Sequence, residues 1–516
     1  MYSNVQIQFK QKIAKEVAKN LEQAIISTPF QHIAQIKYDK LGNFPYIKIS
    51  DYSLEETSVP IPYQQSHFTD LLRSLPEFIS SIYFDNYRND ISVEFQTQSI
   101  QKLQKLQKIS PDFFDNLFQS KPTIAVIGAS SQKFNIGNKL IGKLQQQRVP
   151  VFAISDKQIL GVDTYSLTSA PIPDIVLITT PAKSVQNLLN RFENIPKIVF
   201  SAGFEDFGGE KLTGQNFIGP NSVGFISAID MTFFNEIFNK TKTFGVISDS
   251  GAVLGKLAKN GGCGVSSGNG NCLDGSEFVV PLGKRFDKIA LYLEKDNIEL
   301  LKEIIIHQNI QFYGFFGGVS NNGKARALQH SGQSISDEYI KLLQSQPNFH
   351  QFSSLNSLNF AVSSPQIHNL ITISQSGYVA TKLADLVQVG SFTQQETQYI
   401  QQQFDKFRVP AKVNPLLDCT PQLPAIQLAY ITDFLSQNKK NFVALSLLPS
   451  LMDQEQKLEL LQKLSEIVCK NMISISVEND LEFGGQLQKM GFEIFDNAEN
   501  MGAIIGEKQK VTTAQY

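Results

Sequence analysis

Short apolar runs alternate with amphipathic segments along most of this 516-residue chain. From Thr123 onward, runs of β-branched and other apolar residues lead into polar or glycine-containing turns. Segments with a helical repeat of apolar positions then follow. Continuous apolar runs are typical of parallel strands that are buried on both faces. The pattern therefore predicts successive β/α units and an α/β fold after Pro122.

The predicted strands are short and spread over this whole region. They cover residues 123–127, 149–154, 175–179, 198–200, 217–218, 244–247, 289–293, 312–316, 370–373, 443–447, 472–477 and 492–495. Intervening helices are predicted over 140–144, 458–467 and 484–490. After several of the early strands come polar or glycine-rich residues, at the sheet edge where open parallel sheets bind ligands.

The first 118 residues carry a different pattern, which predicts a mixed α+β extension of unknown role. Apolar residues recur every four positions from Val5 to Ile25, which predicts an amphipathic helix packed on its own domain. A mitochondrial transit peptide is the alternative for this basic segment, although Glu16 and Glu22 argue against it. Short β-like runs are predicted over 39–62, and helical patterns cover 68–84 and 100–117.

Bulk composition narrows the classes of partner and compartment. The length indicates several domains, and a net charge of −2 gives no reason to expect nucleic acid as a partner. The sequence contains no apolar run of the length that spans a membrane. The four cysteines are scattered, which favours a reducing compartment, either the cytoplasm or the mitochondrial matrix.

The first candidate for phosphate chemistry is the turn Gly128 to Asn138, between a predicted strand and a predicted helix. Backbone N–H groups and the positive end of a helix dipole can both face an anion there. The turn has neither the GxGxxG spacing nor the Gly-Lys-Ser/Thr of a P-loop, so a plain βα turn remains open. The missing fingerprint also argues against an NAD-dependent enzyme.

A short motif occurs twice further along, as SDSGAV (248–253) and SQSGYV (374–379). Each copy follows a predicted strand and opens a helix, with serine as the expected N-cap. Two such helix starts would suit one phosphate gripped between two helix dipoles. Between the copies, Gly261 to Asn271 is predicted as a loop that leads to Asp274 and Glu277.

Gly317 to Asp337 is predicted as a glycine-flanked loop that carries a single histidine, His330. A lone histidine in a loop is by default an exposed residue without a role. Two phosphate cradles elsewhere favour a different hypothesis, because imidazole is a competent nucleophile near neutral pH. His330 is thus a candidate for carrying a phosphoryl group between sites.

Taken in order, these motifs resemble the NDP-forming acyl-CoA synthetases and, more distantly, succinyl-CoA synthetase of the α-subunit type. The resemblance covers roughly three quarters of the chain. It rests on IAVIGASS (124–131), TPAKSV (180–185), SAGFED (201–206), IGPNSVG (218–224), SDSGAV, IALYLE (289–294), HSG (330–332), SQSG and NPLLD (414–418).

The resemblance implies a domain order and a set of site residues. It implies a Rossmann-like CoA-binding domain over 119–238 and two flavodoxin-like ligase domains over 239–364 and 365–516. The residues expected to contact CoA are Gly128, Ala129, Ser130, Ser131, Thr180, Pro181, Lys183, Ser201, Gly203 and Asn221. His330 is expected to be phosphorylated, with Asp274 and Glu277 as its acidic partners. Ser250 with Gly251 and Ser376 with Gly377 are expected to bind the phosphate.

Two functional hypotheses follow from the resemblance. The first is an enzyme subunit that couples an acyl-CoA thioester to ADP/ATP or GDP/GTP with Mg. An ATP-grasp β-type partner subunit would handle the nucleotide, because the chain shows no ATP-grasp domain. The second is a catalytically inactive member that serves as a structural subunit of a larger assembly. It is motivated by departures from the family pattern: Lys133 and Phe134 in place of Pro-Gly, a changed run after His330, and Tyr378 in place of a small residue.

Overall fold

A computed structural model describes the fold. It describes residues 4–8, 34–38, 45–50, 81–85, 90–94, 113–119, 121–130, 132, 135–159, 161–204, 209–238, 240–331 and 333–514. The chain divides into two compact units. One comprises Met1–Asn116, Asn187–Pro196 and Thr213–Phe217, and the other comprises Leu117–Gln186, Lys197–Leu212 and Ile218–Tyr516.

The described N-terminal elements are antiparallel strands followed by a short helix. They are β1 (Asn4–Gln8), β2 (Ala34–Tyr38), β3 (Pro45–Ser50), β4 (Ser81–Asp85), β5 (Asp90–Glu94) and α1 (Phe113–Phe118). Strands β1, β3 and β2 form one sheet in that order, and β4 pairs with β5. The β-like prediction within 39–62 is confirmed by β3.

The predicted helix from Val5 to Ile25 is wrong for its first residues, which form β1. Val5 and Ile7 alternate with glutamines, a period of two that suits a strand, and they pair with Ile49 and Ile47 of β3. The rest of that predicted helix lies outside the described residues. The helical pattern over 68–84 is likewise wrong at its end, where β4 begins.

A six-stranded sheet follows, in the order β11-β10-β9-β6-β7-β8. Its strands are β6 (Ile124–Ile127), β7 (Val151–Ile154), β8 (Thr164–Tyr165), β9 (Ile175–Ile178), β10 (Lys197–Val199) and β11 (Phe217–Ile218). Its helices are α2 (Ile136–Gln146) and α3 (Val185–Arg191), with a 3-10 turn at Ala182–Ser184. Counted along the chain, the order is that of a Rossmann fold, whose direction reverses between β6 and β9.

A seven-stranded sheet comes next, in the order β13-β12-β15-β14-β16-β17-β18. Its strands are β12 (Gly224–Ile226), β13 (Asp230–Thr232), β14 (Phe244–Ser248), β15 (Gly262–Ser266), β16 (Lys288–Leu293), β17 (Gln311–Phe316) and β18 (Phe349–Gln351). Its helices are α4 (Gly251–Ala258), α5 (Val279–Gly283), α6 (Ile298–Ile306), α7 (Asn321–Ser331), α8 (Asp337–Gln344) and α9 (Leu355–Ser363). A 3-10 turn at Ser276–Phe278 precedes α5.

The last sheet has five strands in the order β20-β19-β21-β22-β23. They are β19 (Asn369–Ser374), β20 (Leu416–Asp418), β21 (Asn441–Leu447), β22 (Ile473–Val477) and β23 (Glu493–Phe495). Its helices are α10 (Gly377–Leu386), α11 (Gln394–Phe407), α12 (Ala425–Ser436), α13 (Gln454–Ser465), α14 (Leu481–Lys489) and α15 (Ala498–Ala514), with 3-10 turns at Pro449–Leu451 and Lys470–Met472. This order, and the parallel part of the preceding sheet, are those of flavodoxin.

The α/β fold class is therefore confirmed, with parallel strands buried as the apolar runs indicated. All residues of β6, β9, β14, β21 and β22 are buried. Within the described part of the chain, no helix has both the length and the apolar character needed to cross a membrane.

Two further predictions are wrong. The predicted loop from Gly261 to Asn271 contains β15, which lies parallel to β14. Its sequence GCGVS looks like a loop, but the glycines serve close packing: a Cβ on Gly264 would stand 1.8 Å from the carbonyl oxygen of Val246. His330 was expected in a loop, yet its backbone belongs to the last turn of α7.

Helix α7 has a clear local cause. The segment Lys324 to Gln329 consists of strong helix formers. Ser320 supplies the start, since its hydroxyl accepts a hydrogen bond from the Gly323 amide at 3.1 Å. Its carbonyl accepts another from the Lys324 amide at 2.7 Å. These local interactions outweigh the glycines at either side.

A matched pair of glycine substitutions tests the packing of β15. Gly264→Ala would force a Cβ against backbone, and we expect it to lower the free energy of unfolding by about 3 kcal/mol. Gly142→Ala lies in α2, where a Cβ meets nothing within 4 Å. It should raise the free energy of unfolding by about 1 kcal/mol. Urea unfolding midpoints measure both, and equal midpoints would contradict the packing argument.

Candidate functional site

The CoA candidates after β6 and β9 lie where the six-stranded sheet reverses direction. Gly128 follows β6 with φ of +103°. A Cβ on Gly128 would lie 2.6 Å from Thr179 Oγ1, and one on Gly137 would lie 2.9 Å from the same atom. The turn therefore packs tightly on the end of β9. Ligands of open α/β sheets bind in the crevice at such a reversal.

Asparagines hold the turn that enters α2. Asn135 is the N-cap: its side-chain oxygen accepts from the Asn138 amide at 3.1 Å, and its Nδ2 donates to the Gly128 carbonyl at 3.0 Å. The side chain of Asn138 in turn accepts from the Ser130 amide at 3.2 Å and donates to the Ser130 carbonyl. Ala129 is buried. Ser131, Lys133 and Phe134 lie outside the described residues.

The remaining CoA candidates meet through a chain of short contacts. The hydroxyl of Ser201 donates to the Thr180 carbonyl at 2.5 Å. The amide of Asn221 donates to the Ser201 carbonyl at 2.9 Å. The hydroxyl oxygen of Thr180 is buried and has no hydrogen-bond partner among the described residues. These residues are brought together, and a buried polar atom that lacks a partner is an open position for a ligand.

Three candidates flank this chain of contacts. Gly203 has φ of +98°, and a Cβ there would come no closer than 3.9 Å to Ala182. Pro181 and Lys183 are exposed at the 3-10 turn that follows β9. Lys183 is therefore exposed at the edge of the crevice, where its ammonium group can contact a phosphate.

The turn from Gly219 to Gly224 links the CoA candidates to the seven-stranded sheet. The Pro220 carbonyl accepts from the Asn269 amide at 2.9 Å. The hydroxyl of Ser222 donates to the Ser266 carbonyl at 2.6 Å. A Cβ on Gly251 would stand 2.1 Å from the Cγ1 of Val223. One turn therefore contacts both the loop after β15 and the first residue of α4.

The two Ser-x-Ser-Gly motifs form the same local structure. Ser248 Oγ accepts from the Ser250 amide at 3.1 Å and donates to its carbonyl at 2.7 Å. Ser374 Oγ makes the same pair of bonds with Ser376, at 3.0 and 3.2 Å. Ser250 and Ser376 occupy the N-cap positions, but neither side chain makes a capping hydrogen bond. The first N–H groups of α4 and α10 are therefore not capped by these serines.

The residue inside each motif differs between the copies. Asp249 is half-buried, and its carboxylate accepts from the Ser267 hydroxyl at 3.0 Å and from the Glu294 amide at 2.9 Å. Burial raises the pKa of the Asp249 carboxyl, and nearby Lys295 with these two donors opposes the rise. Asp249 therefore connects the ends of three neighbouring strands. Asp249 is not among the site residues predicted from the sequence, although its place within the motif was a signal.

The acidic candidates Asp274 and Glu277 lie together on the turn before α5. The Asp274 amide donates to Glu277 Oε2 at 2.9 Å. The Asp274 carboxylate accepts from the Ser276 hydroxyl at 2.7 Å. Asn297 Nδ2 donates to the Asp274 carbonyl at 3.1 Å. The carboxylates of Asp274 and Glu277 therefore accept hydrogen bonds that stabilise the local turn.

Tyr378, the bulky residue at the second motif, is 65% exposed. Its hydroxyl donates to Glu499 in α15 at 3.1 Å. Gly377 opens α10, and a Cβ there would lie 3.0 Å from Asp418 Oδ2. The backbone of His330 lies in the last turn of α7, and Gly332 lies outside the described residues.

Parts of this chain are similar to proteins of known family. The profile of the CoA-binding domain matches residues 122–207. An ADP-forming acetate–CoA ligase of Archaeoglobus fulgidus is 33% identical over 211 residues, which cover 35% of this chain and 30% of that ligase. The matched part thus spans less than a third of the ligase. The comparisons confirm the resemblance to the NDP-forming acyl-CoA synthetases.

Solved structures share the fold. One is the dinucleotide-forming acetyl-coenzyme A synthetase 1 of Ca. Korarchaeum cryptofilum, in complex with phosphate and ADP, with a TM-score of 0.64 at 18% identity. It covers 78% of this chain and 97% of its own. A protein from Pyrococcus horikoshii OT3 has a TM-score of 0.56 at 17% identity, covering 77% of this chain and 99% of its own.

The turn at Gly128 makes a sharp prediction for CoA. Gly128→Ala must hold φ of +103° and place a Cβ against Thr179. We expect at least about a tenfold loss of CoA affinity, or about 1.4 kcal/mol, by calorimetry. Gly161→Ala is the control, because Gly161 has φ of +80° but nothing within 4 Å of its Cβ. Equal affinity in both variants would refute the close packing.

The raised pKa of the half-buried Asp249 predicts a pH-dependent difference in stability. Because burial raises its pKa in the folded state, the folded protein holds this proton to higher pH than the unfolded chain does. The stability that Asp249 contributes is therefore present below the ordinary carboxyl pKa and is lost as pH rises through the raised pKa. Between pH 4 and 8, the stability of the wild type should fall relative to Asp249→Asn in urea titrations. A constant difference would contradict this assignment.

Proposed function

We propose that this chain is the α-type subunit of an NDP-forming acyl-CoA synthetase, from the premise that it resembles that family and carries a CoA-binding domain. The subunit would couple formation or cleavage of an acyl-CoA thioester to ATP or GTP. Its domains would follow the predicted boundaries, with CoA on 119–238 and the ligase chemistry on 239–364 and 365–516. A small carboxylic acid is proposed as the substrate, by analogy with the acetate–CoA ligase to which part of the chain is similar.

The observation that carries the proposal is the continuity between the CoA candidates and the first helix start. Thr180, Ser201 and Asn221 join by short hydrogen bonds. From Asn221 the same turn reaches Val223, which packs on Gly251. A thioester held in the crevice would therefore lie beside a helix N-terminus that suits an anion.

In the proposed reaction, His330 carries the phosphoryl group. A ring nitrogen attacks the phosphorus of an acyl phosphate, the acyl oxygen leaves with the bonding pair, and the free acid departs. A nucleoside diphosphate oxygen then attacks the same phosphorus and regenerates imidazole with a nucleoside triphosphate. Such transfers depend mainly on positioning and charge stabilisation, which Ser250, Gly251, Ser376 and Gly377 would supply through their backbone.

Asp274 and Glu277 are proposed to orient the imidazole during these steps. An ATP-grasp β-type subunit is the proposed partner, and it would bring the nucleotide with Mg. The place of His330 at the end of α7 requires that this helix end reach the two motif helices. The ligase named in the comparisons supports an acid–thiol ligase as the reaction class.

The alternative function is a structural subunit that retains the fold without the reaction. Tyr378 favours it, because a bulky residue stands at the second position of α10. The hydrogen bond from its hydroxyl to Glu499 holds the Tyr378 side chain in an exposed position. The two proposed functions differ in whether the chain accepts a labelled phosphoryl group from a nucleotide.

Phosphate labelling tests the proposal directly. The full chain is incubated with an ATP-grasp subunit of the same source, γ-labelled ATP or GTP with Mg, CoA and a short-chain acid. We expect acid-labile, base-stable label on the wild type and its complete loss in His330→Asn. His307→Asn is the matched control. His307 directly follows α6, its side chain is partly exposed, and its Nε2 lies 3.1 Å from Glu303 Oε2. An unlabelled wild type with every acid and both nucleotides would favour the structural alternative.

A further inference from the structure

The two Ser-x-Ser-Gly starts share their backbone arrangement but differ in what faces the glycine. At the first start, Gly251 meets the methyl groups of Val223. At the second, Gly377 meets a carboxylate oxygen, since its Cβ would lie 3.0 Å from Asp418 Oδ2. One start is therefore backed by an apolar side chain and the other by an acid.

Backbone contacts fix Asp418 beside α10. Asp418 ends β20 and pairs with Ser374, the last residue of β19. The next amide, of Cys419, donates to the Ser374 carbonyl at 2.7 Å. The other carboxylate oxygen, Oδ1, accepts from the Thr420 amide at 3.1 Å. The carboxylate is thus oriented by its own turn and stays close to the first residue of the helix.

A second polar residue directly precedes the same start. Gln375 precedes the N-cap, is 4% exposed, and its Oε1 has no hydrogen-bond partner among the described residues. The equivalent residue at the first start, Asp249, has both oxygens bonded to donors. The segment that enters α10 therefore carries a buried acceptor with no partner among the described residues, and the Asp418 carboxylate faces the first residue of the helix. Acceptors attract hydrogen-bond donors, whereas a phosphate dianion is repelled by a carboxylate.

We propose that Asp418 is a specificity-determining residue that makes the two phosphate cradles unequal. Its carboxylate neutralises the positive end of α10 and weakens phosphate binding there, so that α4 holds the phosphate more tightly. The inference rests on the proposed function, in which both starts contact one phosphate, and it assigns the larger share to the first. A weaker second contact lets the phosphoryl group leave after transfer.

Inorganic phosphate binding by the full chain tests this, by calorimetry at constant ionic strength. Asp418→Asn should bind phosphate about tenfold more tightly than the wild type, which equals about 1.4 kcal/mol. Asp418→Ser should show the same gain, and thermal melting checks that both variants fold. Asp385→Asn is the matched control. This variant removes one charge near the C-terminal end of α10. At 1.5 Å per residue, that charge lies about 12 Å from the helix start, which is beyond the Debye screening length.

A gain in both Asp418 variants with no change in the Asp385 control supports the proposal. Phosphate binding no tighter than in the control, or no binding by any variant, overturns it. The labelling of His330 is read separately. If the wild type is labelled but the Asp418 variants show no gain in phosphate affinity, only the role of Asp418 is refuted. If the variants show the gain but the wild type is not labelled, the transfer reaction is refuted and the role of Asp418 stands.

Discussion

The close packing of the turn Gly219 to Gly224 is the constraint on which the candidate site depends. Its amide at Asn221 bonds to Ser201, its carbonyl at Pro220 accepts from Asn269, and its Val223 packs on Gly251. These approaches leave no room for a Cβ at position 251. One turn therefore contacts both the residues expected to bind CoA, through a backbone hydrogen bond, and the first helix start, through the tightly packed side chain of Val223.

The same topological device occurs in each of the three large sheets. In each one, the first parallel strand lies between two later strands of the chain, so the sheet is wound in both directions from it. A helix follows that strand in every case: α2 after β6, α4 after β14 and α10 after β19. Winding outward leaves a crevice at the strand end, and the helix dipole faces it. The three helix N-termini at these crevices are thus consequences of strand order.

The sequence predicted the strands well because both faces of each are buried. Runs such as Ile124 to Ile127 have only one stable environment, the centre of a parallel sheet. The prediction failed at β15, whose glycines pack closely against Val246 on a neighbouring strand. It also failed at β1, where a period of two was mistaken for a helical repeat. Contacts between segments far apart in the chain decided these cases, as at Asp418 and Gly377. A single sequence cannot reveal such contacts.

One backbone plan can serve different chemistry when the residues behind it change. Both motifs use the first serine to bond the amide and carbonyl of the second, so the helix start is fixed without a capping side chain. The N–H groups that would otherwise be capped stay open to a ligand. The residues that face a ligand at each start then lie outside the motif: Val223, from the turn before β12, at α4, and Asp418, from the adjacent strand, at α10. Because those residues carry no part of the helix start, their charge can change while the fold remains the same.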